Sequence, residues 1–76
     1  MPTMNIECEV TGTVWKVEVR AGQDVSEDDT LLIVESMKME IPVLAEVAGT
    51  VAEVVVTAGD VVNDGDPLVV ITPDGR

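Results

Sequence analysis

The segment Glu35-Ser36-Met37-Lys38-Met39-Glu40 is where residue types and spacing in this chain point to chemistry. It offers one lysine amine, flanked by two methionines and then by two carboxylates. Spacing alone supplies an exposed, presented amine, and on spacing alone an ordinary surface lysine at a solvated hairpin end is the favoured reading. Other chemistries lack the residues they need. The chain has no His and one Cys, so neither an acid/base pair lining a cleft nor an internal disulfide is available, and no catalytic residue is assigned. The acids Asp24, Glu27, Asp28 and Asp29, and again Asp60, Asp64 and Asp66, lack calcium-loop spacing; they are expected to cap turns, and no metal is expected. Four basic against fifteen acidic residues give a net charge of −11, which repels phosphate backbones and anionic membrane surfaces. Nucleic acid and membrane are therefore not expected as partners.

The rest of the chain has to hold that amine out. Its 76 residues suffice for one small domain, 1–76, which buries about 60% of its unfolded surface. Trp15 is the single ring and Phe and Tyr are absent, but the valine-rich short runs argue for strands. Offset by 37 positions, Glu9-Val10-Thr11-Gly12-Thr13-Val14 falls on Glu46-Val47-Ala48-Gly49-Thr50-Val51 without a gap. Further along, Ala21-Gly22 falls on Ala58-Gly59, Asp29 on Asp66 and Leu31 on Leu68. The halves run from about 6–36 and 42–73. Each reads as a strand, a glycine turn, an Asp-rich connection and an apolar strand, Leu31-Leu32-Ile33-Val34 or Leu68-Val69-Val70-Ile71. Trp15, Val17 and Val19 are expected to share the buried face of the first strand, with a bulge near Gly12 absorbing the misplaced Val14. Cys8 reads as a small strand residue. Two halves with one apolar face each are expected to bury those faces against each other. The result is an all-β flattened barrel or sandwich of two sheets related by a pseudo-twofold.

Continued onward, the repeat places Ser36-Met37-Lys38 on Pro73-Asp74-Gly75. Asp-Gly suits a two-residue primed turn, which needs positive φ at both central positions. The first copy has Met-Lys there. With Met37 and Lys38 central, Ser36 pairs with Met39, Glu35 with Glu40 and Val34 with Ile41, in a hairpin spanning 31–43. Left-handed backbone at non-glycine residues costs about 1–2 kcal/mol each, and like charges at Glu35 and Glu40 face each other across the strands. Such local violations tend to mark functional positions.

The six residues from Glu35 to Glu40 resemble the attachment motif of biotinyl domains. The resemblance extends over the chain to the gapless repeat, the Gly22 and Gly59 turns and Val47-Ala48-Gly49-Thr50-Val51, and is especially to small freestanding biotin/lipoyl attachment proteins. It implies the biotinyl/lipoyl fold, a barrel-sandwich hybrid. The fold is expected to be thumbless, since Ala21 to Val25 leaves no room for the protrusion of some bacterial acetyl-CoA carboxylase carriers. It implies that Lys38 carries covalent biotin, added when a biotin protein ligase makes the acyl-adenylate and the lysine amine forms the amide. A biotin carboxylase would then carboxylate the biotin and a carboxyltransferase would pass the carboxyl group to an acceptor. The partner chooses among acyl-CoA, pyruvate and urea, and the domain is a carrier, not an enzyme. Met37 and Met39 go with correct use by carboxylases. Glu35 and Glu40 go with ligase recognition, and Ser36 stands where many carboxylase carriers have Ala. Related lipoyl domains usually carry Asp-Lys-Ala, so lipoate on the same lysine, for a 2-oxo acid dehydrogenase or glycine cleavage system, is the alternative. A structural hairpin like those of membrane-fusion adaptors would not need Met-Lys-Met.

No segment at the start resembles a signal peptide, and no apolar run approaches the ~20 residues of a membrane span. The chain is expected to be cytoplasmic, monomeric in isolation and, from Met1 and the polar tail 73–76, complete. The pseudo-twofold is expected to put Gly75 at the end opposite Lys38.

Overall fold

The computed structural model describes residues 3–74. Its elements are β1 (Met4–Glu7), β2 (Gly12–Val17), β3 (Asp24–Val25), β4 (Thr30–Ser36), β5 (Met39–Leu44), β6 (Gly49–Val54), β7 (Val61–Val62) and β8 (Pro67–Pro73). Adding 37 to the bounds of β2, β3 and β4 gives those of β6, β7 and β8. The repeat in the sequence is thus a repeat of strands.

The strands form two four-stranded antiparallel sheets, ordered β1-β8-β6-β3 and β5-β4-β2-β7. Exchanging each strand for its repeat mate turns one order into the other, which is the expected pseudo-twofold. The sheets stay separate, so the architecture is a sandwich and not a closed barrel. One expectation is corrected: the halves do not each make a sheet. Four of the six pairings, β1–β8, β2–β7, β3–β6 and β4–β5, join strands of different copies. Within one copy only β2 and β4, or β6 and β8, pair with each other. Their outer edges would otherwise leave rows of N–H and C=O groups unpaired, and strands of the other copy satisfy them.

The core lies between the sheets. Leu31, Leu32 and Val34 from β4 and Leu68, Val69 and Ile71 from β8 are fully buried, joined by Ile6, Val14, Val51 and Val62. Leu31 and Leu32 can both be buried because the β4–β5 register shifts between Thr30 and Leu32.

A second correction concerns β2. Val14 lies opposite Val34 and Lys16 opposite Ile33, so the bulge sits at Trp15 and not near Gly12. The extra residue restores the inward alternation for Val14, Val17 and Val19 and turns Trp15 outward, where it is 49% exposed. Trp15 therefore does not belong to the buried face. β6 carries the same shift between Val51 and Glu53, with Ala52 at the bulge. Gly12 serves another purpose: a Cβ there would collide with the Glu35 carbonyl oxygen and the Val34 side chain, so β2 starts in close contact with the end of β4. Gly49 meets the Thr72 carbonyl in the same way.

Cys8 is buried just past the end of β1 and not within a strand, and its thiol donates to the Val10 carbonyl at 2.8 Å. Among the described residues no helix is long and apolar enough to cross a membrane.

Candidate functional site

The site stands on the β4–β5 hairpin. Its register is Ser36 opposite Met39, Glu35 opposite Glu40 and Val34 opposite Ile41, as the sequence predicts. Met37 has φ 51° and Lys38 φ 68°, so both central residues of the turn are left-handed. That backbone fits the right-handed twist of the two strands, which is why a two-residue connection adopts it even without glycine.

Below the tip, Leu32 and Val34 anchor β4 in the core. Ser36 Oγ donates to the Thr11 carbonyl at 2.9 Å and ties the hairpin base to the segment entering β2. Gly12, next in the chain, lets that segment approach closely. Sequence reasoning missed this bracing. The signal was only that a hydroxyl stands at 36 where the second copy has Pro73. Above the brace everything faces solvent: Lys38, Glu35 and Glu40 are exposed, Met37 is 92% exposed and Met39 64%. Methionine in a core would be covered; this pair is not. Among the described residues the one salt bridge joins Lys16 Nζ to Glu18 at 3.4 Å, so Lys38 is not held by a carboxylate. The arrangement presents a primary amine on a stiff, strained turn at one end of a braced hairpin.

Three of the acids expected to cap turns do so, while Asp24 lies in β3. Asp29 accepts from the Ser26 N–H at 2.8 Å, its repeat mate Asp66 from the Asn63 N–H at 2.8 Å, and Asp60 from the Thr57 N–H at 2.9 Å. Asp28, at φ 75°, occupies the place of Gly65, at φ 93°. Gly22 and Gly59 have φ 91° and 98° in the turns assigned to them. The short turn before β3 leaves the domain thumbless. The expected position of Gly75 lies outside the described residues.

An all-β sandwich that presents an exposed lysine at a hairpin tip has the build of a carrier domain. A family model described as biotin-requiring enzyme matches residues 2–71, and the chain belongs to this family of biotin/lipoyl attachment domains. The family model's description and the names of the relatives below point to covalent biotin as the cofactor, with lipoate the alternative. The chain is 43% identical over 42 residues to a biotin/lipoyl attachment protein of Bacillus subtilis, covering 55% of this chain and 58% of the relative. It is 51% identical over 41 residues to a biotinylated protein TB7.3 homolog of Mycolicibacterium smegmatis, covering 54% and 58%. The chain thus spans a little over half the length of these curated relatives. Among solved structures, the Kluyveromyces lactis urea carboxylase superposes with a TM-score of 0.89 at 33% identity, over 95% of this chain and 6% of that one. The lipoyl domain of the 2-oxoglutarate dehydrogenase complex from Azotobacter vinelandii superposes at 0.75 and 31% identity, over 92% and 99%.

Proposed function

We propose that Lys38 is the biotin attachment site and that this chain is the carboxyl carrier of a biotin-dependent carboxylase, working as a monomeric domain in the cytoplasm. The observation that carries the reading is the left-handed Met37-Lys38 turn, which holds the exposed amine between two exposed methionines. In the first reaction the Lys38 amine, deprotonated in the ligase, attacks the carboxyl carbon of biotinyl adenylate. The amide C–N bond forms, the bond to AMP breaks, and AMP leaves. Biotin, once bound, supplies a ureido nitrogen able to accept and release a carboxyl group. The chain itself supplies position: a rigid body and a tethered arm replace free diffusion between biotin carboxylase and carboxyltransferase with a high effective concentration.

Met37 and Met39 serve the carboxylases, and Glu35 and Glu40 the fit to the ligase, on a turn that Ser36 braces. The name of the Mycolicibacterium relative and the likeness to urea carboxylase support biotin. Lipoate on the same lysine is the second reading, favoured by the match to a complete lipoyl domain. Intact-mass spectrometry tests both, after co-expression with a biotin ligase and separately with a lipoyl ligase. A biotin-sized increment that vanishes in Lys38→Ala is expected. A lipoyl increment alone, or no increment with either ligase, overturns the proposal.

A further inference from the structure

The pseudo-twofold gives the domain an internal control. Inside, the two sheets are equivalent: Val14 and Val51, Val25 and Val62, Leu31 and Leu68, Leu32 and Val69, Val34 and Ile71 are matched pairs of buried residues. Outside they are not. Besides the polar Thr13 and Lys16, the outer face of the β5-β4-β2-β7 sheet carries the apolar residues Trp15, Ile33, Pro42, Leu44 and Val61. The matching positions on the other sheet are Ala52, Val70, Asn5, Glu7 and Asp24. Trp15 is 49% exposed, Leu44 40% and Val61 73%. Since the other face supports the same strands with polar and small residues, the fold does not require an apolar surface here. Exposed apolar residues gathered on one face in this way mark an interaction site, and tryptophan is enriched among residues that dominate such interfaces.

This face adjoins the attachment hairpin: its two central strands include β4, and β5 forms its edge. Trp15 lies beside the Ile33–Val34 step of β4, four to five strand residues below Lys38, or about 13–17 Å. A standard interface covers about 800 Å² per partner, a disc about 16 Å in radius. A partner centred on the tip therefore reaches Trp15. The enzyme that attaches the cofactor has the strictest need for such a grip. It must bring the bare amine to about 3–3.5 Å from the reacting carbon with only a lysine side chain as reach. Partners that act on the attached cofactor work at the end of a longer arm.

Resting on the carrier reading above, we propose that the outer face of the β5-β4-β2-β7 sheet is the surface on which the biotin protein ligase docks. Trp15 and Val61 enter an apolar patch of the ligase, and the exposed Glu35 and Glu40 meet a basic rim around it. Charge favours this pairing, because the carrier's net charge of −11 repels an acidic surface and repels a second copy of itself.

The test gives the face the residues its mirror already carries: Trp15→Ala with Val61→Asp. Initial rates of biotinylation by a purified biotin protein ligase, with saturating biotin and ATP, are measured against carrier concentration, with a melting curve to show that the fold is kept. The KM for carrier is expected to rise at least tenfold while kcat stays within twofold. Asn5→Ala with Glu7→Ala on the opposite face is expected to leave both constants within twofold. If the double variant melts early, Val61→Asp alone, a surface change at an edge strand, is expected to raise KM at least threefold. An unchanged KM in a folded variant, or an equal rise from the opposite face, overturns the proposal and leaves the carrier reading standing. A wild-type chain that takes no biotin overturns both. Slower carboxylation of the biotinylated variant with unchanged ligation gives the face to the carboxylase instead and also overturns it.

Discussion

Replacing Lys38 with glycine should make the domain more stable while removing the proposed attachment site. Lys38 is held at φ 68°, and the left-handed region costs a non-glycine residue about 1–2 kcal/mol. Glycine adopts it without that cost but gives up about 0.5–1 kcal/mol in extra backbone entropy on folding. The net gain is about 0.5–1 kcal/mol. A domain of 60–100 residues shifts its midpoint by about 4–8 °C per kcal/mol, so Lys38→Gly should melt about 2–8 °C higher. Adding Met37→Asn, which relieves φ 51° at the neighbouring position, should raise it further, because Asn-Gly is the preferred pair for this turn. Scanning calorimetry of wild type, Lys38→Gly and the double variant at equal concentration, with urea unfolding as a second measure, provides the comparison. If Lys38→Gly melts at or below the wild type, the turn stores no strain and the argument from local violation to function fails.

Other perturbations separate bracing from core. Gly12→Ala and Gly49→Ala each force a methyl into a backbone carbonyl and should each lose about 1–3 kcal/mol in urea unfolding. Only Gly12→Ala should also speed amide exchange in the β4–β5 hairpin. Ser36→Ala removes the bond to the Thr11 carbonyl and should cost about 1 kcal/mol, again with faster exchange at residues 34–41. Leu32→Ala opens a cavity at a site with no exposure and should cost about 2–5 kcal/mol, enough to lose most of the far-ultraviolet strand signal at 37 °C.

Much of this architecture is legible in the sequence because a gapless repeat carries long-range information that periodicity does not. Aligning Leu31 with Leu68 and Gly22 with Gly59 locates strands and turns in both halves at once. The hairpin register from Ser36–Met39 to Val34–Ile41 follows from strand alternation around a two-residue turn. The position of the candidate site is legible for a related reason: Met37-Lys38 is a poor turn sequence where the other copy has a good one, while the chemistry proposed for it comes from the resemblance carried by Glu35 to Glu40. What escapes is whatever depends on partners distant in the chain. The bulge at Trp15 is invisible because alternation fits Trp15, Val17 and Val19 as well as Val14, Val17 and Val19 once one residue is allowed to slip. Val34 and Ile33, 18 or more positions away, decide the register. The Ser36–Thr11 bond spans 25 positions and leaves no local trace.

The weaving of both sheets from both copies bears on where such a domain can come from. A chain holding one copy has two strands that pair with each other and two with no mate. Below about 40 residues a chain rarely folds alone, and here it would also leave strand edges open. Two identical copies of that length could cover both sides of each central strand pair by trading strands across a twofold axis, as intertwined homodimers do. Duplication and fusion of such a unit would convert a concentration-dependent assembly into a unimolecular one, and the join would fall at residues 37–40. The lysine would then sit on the seam where two ancestral subunits became one chain.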